Sequence, residues 1–205
     1  MLKDLFTDCC KVYSTDINII QLLWEEIYTA YSSHKRHYHN LSHLQNIFSE
    51  LLPLKAVFQN WEAVLFAVFY HDIIYKSVNK DNEEKSAALA VQKLSELGCP
   101  PATITHCETI ILATKKHEQH TDSDVNYFTD ADLSILGANW NDYQQYASGV
   151  RKEYAVFPDI IYKPGRRKVL QHFLSMERIF KTSYFFDSFE KQAKNNLKKE
   201  LDLLS

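Results

Sequence analysis

The feature that most constrains this chain is an apolar run, residues 64–70, that ends directly at His71 and Asp72. A helix that is apolar on every side belongs in a domain core, because it leaves no face for water. An ionised carboxylate buried next to such a run costs several kcal/mol unless an ion pair or a metal compensates it. The sequence therefore predicts that His71 and Asp72 form either a metal site or a well-satisfied structural pair.

The fold class follows from the apolar periodicity of the rest of the chain. Apolar residues recur at helical spacing, and few segments alternate with the period of a strand. A length of 205 residues suits one domain, which we place at 1–205. We predict an all-α, compact helical bundle. Including capping residues, the predicted helices span 3–13, 16–31, 40–53, 60–72, 82–97, 101–116, 141–156, 164–181 and 186–203.

Charge and cysteine usage restrict the function classes. The net charge is -3, so basic residues are not in excess over acidic ones, and no nucleic-acid polymer is expected as a partner. The four cysteines follow neither a metal-site spacing nor a secreted framework, which favours reduced thiols and a cytoplasmic location. The N-terminus lacks the apolar core of a signal peptide, and no apolar stretch approaches the ~18–20 residues that span a membrane. We therefore expect no membrane partner.

A histidine cluster precedes the predicted third helix. His39 and His43 are four residues apart, so a helix would place both on one face. The apolar residues Leu44 and Ile47 lie next to that face, so we expect His43 to point inward and His37 to stay in the loop. The alternative is a cluster of loop histidines at a helix start, without a ligand role.

A second source of carboxylates lies near residue 130. Asp132 stands among apolar residues, as a ligand of a buried site must, whereas Asp130 would suit a helix N-cap. We prefer Asp132, which with His43, His71 and Asp72 offers two imidazoles and two carboxylates. This set suits Mn, Fe, Co or Ni and is compatible with Mg or Zn. Such an ion lowers the pKa of a bound water and polarises a phosphoryl oxygen.

The order His, His-Asp, Asp on a helical chain resembles the HD superfamily of metal-dependent phosphohydrolases. More closely, the chain resembles a bacterial family of predicted HD phosphohydrolases whose members are of about this length. The His-Asp pair alone is a weak signal, but the ordered motifs together are specific and cover nearly the whole chain. The motifs that carry the resemblance are residues 36–40, 69–75, 81–87, 129–137 and 165–170. It implies a helical HD domain, a divalent ion and hydrolysis of a nucleotide or another small phosphoester.

Two segments are also similar to cyclic-nucleotide phosphodiesterases. Residues 38–43 match their Tyr-His-Asn-x-x-His motif, and residues 131–134 match their Ala-Asp-Leu-Ser segment. This resemblance implies that His39 is the general acid and that His43 and Asp132 bind metal. The chain lacks the His-x-Gly continuation after the His-Asp pair and is much shorter than those catalytic domains. Hydrolysis of cyclic nucleotides is therefore not implied.

Further residues are candidates for completing the site. Glu83 begins the helix after the His-Asp loop, where HD nucleotidases often place a carboxylate that orients water; the alternative is a first-turn Glu that complements the helix dipole. Cationic side chains can bind phosphate oxygens, although most are solvated surface. The candidate substrate-binding residues are Lys76, His117, Arg151 and Arg166.

In the predicted mechanism, a metal-bound water attacks phosphorus, Glu83 or Asp72 orients or deprotonates it, and His39 protonates the departing oxygen. The expected partner is a small phosphorylated substrate such as a nucleotide, and nothing in the sequence predicts an oligomeric state. Two alternatives stay open. An HD-type di-iron oxygenase would need further ligands, such as His117 and His120. A non-catalytic nucleotide-binding module would keep the metal without turnover.

Overall fold

A computed structural model describes residues 1–204. Helices make up 72% of the structure, and no strand occurs within the described residues, so the all-α prediction is confirmed. Two 3₁₀ helices, Leu52–Val57 and Ser134–Gly137, also occur in the described part of the chain. The α-helices are α1 (Leu2–Lys11), α2 (Ile17–Tyr31), α3 (Leu41–Leu51), α4 (Trp61–Tyr70), α5 (Asn82–Glu96), α6 (Pro101–Ala113), α7 (Ser123–Leu133), α8 (Trp140–Glu153), α9 (Asp159–Ser175) and α10 (Ser183–Leu203).

The chain divides into two compact units, Met1–Thr129 and Asp130–Ser205, and the division falls inside α7. The assignment of residues 1–205 to one domain stays a prediction.

The core of the first unit is built around α4. Every residue of this helix except Glu62 is buried, as its apolar run predicts, and it packs against α1, α3, α5 and α6. Aromatic rings fill one side, where Phe6 meets Phe69 edge-to-face with ring centroids 5.0 Å apart. Full burial of a side chain of this size stabilises the fold by ~1.5–3 kcal/mol. This packing fixes the C-terminal end of α4, where the His-Asp pair follows.

Three polar residues begin helices as the sequence predicts. The Asp16 side chain accepts hydrogen bonds from the backbone N–H groups of Asn18 and Ile19. Asn40 accepts two such bonds at the start of α3, and Asn60 accepts one at the start of α4. These bonds satisfy N–H groups that have no partner within the helix.

The second unit is held by a buried ion pair. Arg166 of α9 donates from Nε and Nη2 to the two carboxylate oxygens of Glu200 in α10, at 2.7 and 2.8 Å. The hydroxyl of Tyr143 in α8 also donates to Glu200. Gly137 meets α10 closely, since a Cβ there would lie 2.5 Å from the Cβ of Phe189. Only glycine permits this approach.

Several helix boundaries differ from the predicted ones. The helix α4 ends at Tyr70, so the His-Asp pair follows the helix instead of lying within it. The helix α7 (Ser123–Leu133) lies between the predicted helices 101–116 and 141–156, where we predicted no helix. The helix predicted at 164–181 spans Asp159–Ser175, because α9 continues through Pro164. Within residues 1–204, no helix combines the length and apolarity needed to cross a bilayer.

Candidate functional site

The His-Asp pair lies where the buried helix α4 ends. His71 is the first residue after α4. It still has helical backbone angles, and its side chain is buried. Its Nδ1 lies 3.1 Å from the carbonyl oxygen of Val68, so Nδ1 carries the proton and donates it. In a neutral His71, Nε2 then keeps its lone pair, which is the state that binds a metal.

Three histidines and one aspartate converge at this point in the first unit. The Nε2 atoms of His43 and His71 are 3.1 Å apart. Asp72 Oδ2 lies 3.3 Å from His71 Nε2 and 3.9 Å from His43 Nε2. His39 Nε2 lies 3.9 Å from the same oxygen. The structure thus brings together four of the residues that the sequence singles out.

His39 reaches this cluster from the segment that precedes α3. The helix α3 begins at Leu41, so His39 precedes the capping residue Asn40. The rings of His39 and His43 still approach to 5.7 Å between centroids. The ring of His39 also stacks on Tyr75, with centroids 4.1 Å apart and planes 28° apart. His39 is thus held by ring stacking instead of by a helical turn.

Arg36 joins the two segments of the site, and sequence reasoning missed this role. Its Nη1 donates to the carbonyls of His39 and Asp72 at 3.1 and 2.7 Å, and its Nη2 donates to Ile73 at 2.7 Å. Its guanidinium lies over the ring of Tyr31, 4.6 Å from the centroid. The available signal was its place in the Arg-His-Tyr-His-Asn motif.

Two residues of α5 fix the loop that follows Asp72. The Ser86 hydroxyl accepts a hydrogen bond from the N–H of Ile74 and donates one to its carbonyl. The Asn82 amide likewise accepts a hydrogen bond from the N–H of Lys76 and donates one to its carbonyl. The Asp-Asn-Glu-x-x-Ser-Ala motif therefore has a structural function here, because its Asn and Ser replace backbone partners that an irregular loop lacks. Glu83 lies half-buried in the first turn of α5. Its predicted action on water stays a prediction.

The remaining candidates in the first unit are less buried. Lys76 is exposed, and His117 is half-buried after α6. His117 has a φ of 52°, the left-handed conformation, which is uncommon for a residue with a side chain. Their contact with a substrate stays a prediction.

Asp130 in the second unit has a role different from the predicted one. It lies inside α7 and caps no N-terminus of its own helix. Its carboxylate accepts hydrogen bonds from the backbone N–H groups of Lys181 and Thr182, the Thr182 hydroxyl and Lys181 Nζ. It therefore anchors the residues that precede α10. Asp132 lies half-buried near the end of α7, and its assignment as a ligand stays a prediction.

The two arginines predicted to bind phosphate have structural partners in the second unit. Arg151 donates to Asp159 at 2.7 Å and to the carbonyls of Tyr154 and Phe157, which closes the turn between α8 and α9. Arg166 is buried against Glu200. Their guanidinium groups are thus occupied, and we leave both out of the proposed site.

No protein family, curated protein or solved structure matches the chain. The proposals below therefore depend on the geometry and chemistry of its own residues and on the motif resemblance.

Proposed function

We propose that the protein is a metal-dependent phosphohydrolase whose ion is held by His43, His71 and Asp72. The supporting observation is the 3.1 Å separation of two histidine Nε2 atoms next to a carboxylate oxygen. Nitrogen and oxygen ligands lie ~2.0–2.2 Å from such ions, so two ligands of one ion are ~3 Å apart. The donor set therefore fits a divalent ion of the first transition row.

The tautomer of His71 supports this assignment. Because Nδ1 donates to Val68, Nε2 presents a lone pair toward His43. Either a proton on His43 or an ion must lie between two nitrogens at this distance, since two facing lone pairs repel each other. The sequence adds Asp132 as a further predicted ligand.

A divalent ion held there would supply a Lewis acid that polarises a phosphoryl oxygen and activates water at neutral pH. The other steps fall to side chains of the chain itself. Water adds to phosphorus, the ester P–O bond breaks, and His39 gives its proton to the departing oxygen. Asp72 lies 3.9 Å from His39, where its negative charge would attract the protonated ring. Glu83 remains the predicted residue for orienting the water.

We propose a nucleotide or another small phosphoester as substrate, by analogy with the HD enzymes that the motifs resemble. Phe128 and the tyrosines near the histidines give the site apolar walls, and the ring of Phe128 lies 5.7 Å from that of His71. A cytoplasmic location is part of the proposal, since all four cysteines are buried and free.

The test measures phosphate release from a panel of phosphorylated metabolites by protein loaded with Mn²⁺, Co²⁺, Ni²⁺ or Fe²⁺. His71→Ala should lose both phosphate release and bound metal by elemental analysis, and Asp72→Ala should behave likewise. His172→Ala is the matched control, because it removes an exposed imidazole far along the chain in α9.

Each alternative outcome would contradict the proposal. Unchanged metal content in His71→Ala would show that the ligands are wrongly assigned. Iron-dependent consumption of oxygen would indicate the di-iron oxygenase. Binding of a nucleotide without phosphate release, under all four metals, would indicate the non-catalytic module.

A further inference from the structure

A second group of potential ligands lies in the first unit, formed by His106, Asp122 and Asp124. His106 is on α6, Asp122 directly precedes α7, and Asp124 is in its first turn. The Nε2 atom of His106 lies 3.1 Å from Asp122 Oδ2 and 4.0 Å from Asp124 Oδ2. One ligand atom from each residue lies within 4.8 Å of the others.

The imidazole of His106 has an unusual environment. Its Nε2 atom is buried and forms no hydrogen bond, although a carboxylate oxygen is only 3.1 Å away. The contact is close but misdirected, because an N–H on Nε2 would not aim at that oxygen. A buried polar atom without a partner costs ~1–3 kcal/mol. The molecule must compensate this cost in another way.

Two ligand atoms of one metal ion also lie close together without forming a hydrogen bond. Each lone pair points at the ion, ~2.0–2.2 Å away, so two neighbouring ligand atoms lie ~3 Å apart without facing each other. A protonated His106 paired with Asp122 would instead direct its N–H along the line between the two atoms. The observed geometry therefore favours a shared ion over a simple ion pair.

The two carboxylates are positioned by bonds that leave lone pairs for an ion. Asp124 is fully buried and accepts from the backbone N–H groups of Gln59 and Asn60 at 3.0 to 3.1 Å. Asp122 Oδ1 accepts from the N–H of Asp124 at 2.8 Å, which leaves Oδ2 directed to His106. A carboxylate oxygen has two lone pairs, so these bonds do not exhaust either group.

We propose that His106, Asp122 and Asp124 bind a divalent cation, with Zn²⁺ or Mn²⁺ suited to one imidazole and two carboxylates. The ion would neutralise two neighbouring negative charges, one of them fully buried, and would occupy the orphaned nitrogen. Because Asp124 also holds the residues just before α4, this ion would fasten α6 and the start of α7 to the helix that precedes the His-Asp pair. The proposal is independent of the proposed hydrolase activity.

The test counts ions per chain after equilibration with Zn²⁺, and separately Mn²⁺, in the presence of a weak chelator. His106→Gln and Asp122→Asn should each lose one ion relative to the parent. Asp122→Asn keeps the side-chain oxygen that caps Asp124, so it removes the ligand charge while leaving the local fold intact. His172→Ala should bind as the parent does. Circular dichroism confirms that each variant is folded.

The comparison with His71→Ala separates the two metal proposals. Loss of this ion in His106→Gln but not in His71→Ala supports the second site, whether or not the first exists. Addition of Zn²⁺ should also raise the melting temperature of His71→Ala, and this rise should be absent from the double variant His71→Ala, His106→Gln. Equal ion counts in the parent, His106→Gln and Asp122→Asn would overturn the proposal. So would an NMR spectrum in Zn²⁺ that shows His106 Nε2 still protonated.

Discussion

At the scale of single residues, the site depends on which nitrogen each histidine offers. The carbonyl of Val68 accepts the proton of His71 Nδ1, so one backbone bond determines what Nε2 can bind. His39 differs, because its Nε2 lies 3.9 Å from Asp72 and its ring is held against Tyr75. These positions are consistent with the proposed roles, in which His71 binds the ion and His39 transfers the proton.

We expect His39→Ala to keep its metal and its affinity for substrate while turnover falls by roughly 10²–10⁴-fold, the usual contribution of a general acid. The physical reason is that the departing oxygen then leaves without a proton. The measurement compares kcat for an alkyl phosphoester and for a nitrophenyl phosphoester, whose leaving group needs no proton. Equal losses on the two substrates, with metal still bound, would show that His39 only positions the site.

At the scale of elements, two part-buried groups of polar contacts connect segments distant in sequence. In the first unit, Arg36 binds carbonyl groups 36 and 37 residues further along the chain. In the second, Asp130 binds backbone N–H groups 51 and 52 residues away. Each charged group satisfies several backbone groups at once, so loss of either would leave buried polar atoms without partners.

Asp130→Ala and Asp132→Ala should therefore differ in which property they change, stability in the first and metal content in the second. Asp130 is fully buried with Lys181, and breaking a buried ion pair typically costs ~3–5 kcal/mol, so Asp130→Ala should lower the melting temperature strongly yet retain metal. Asp132→Ala should lose the metal of the proposed site with a smaller loss of stability. Thermal unfolding and elemental analysis on both variants check this. Loss of metal in Asp130→Ala, with metal retained in Asp132→Ala, would identify Asp130 as the ligand.

At the scale of the whole molecule, buried acidic groups link stability to pH. Burial raises the pKa of the Cys10 and Cys99 thiols to about 12 and raises the pKa of Tyr143 and Tyr162 above its usual value. In the unfolded chain these thiols ionise near pH 9, while in the folded protein they stay neutral to higher pH. As the pH rises, the thiols of the unfolded chain ionise first, which stabilises the unfolded state relative to the folded one.

The free energy of unfolding should accordingly be unaffected by these groups below pH ~9 and should decrease between pH ~9 and ~12. Urea unfolding at several pH values measures this change. The thiols should also react slowly with an alkylating reagent at pH 8 in the folded protein and rapidly in urea, because thiolate is the reactive form. Rapid alkylation without unfolding would contradict the burial of the four cysteines.

Much of the fold could be predicted from local patterns. Helical periodicity and the caps Asp16, Asn40 and Asn60 depend on residues within a few positions of one another, so they can be recognised in the sequence. The same holds for the apolar run that makes α4 the buried helix. The end of α4 at Tyr70 was not predictable, because apolar residues continue on both sides of the His-Asp pair.

The sequence by itself determined the all-α class, the buried central helix and the residues His39, His43, His71 and Asp72 as a chemical set. Only the tertiary structure decided how these residues meet and what surrounds them. It alone placed Arg36 between two segments, put Asp130 at the start of another helix and brought His106 to Asp122 and Asp124. The physical reason is that such contacts join distant segments whose meeting depends on the packing of the helices, which no local pattern records.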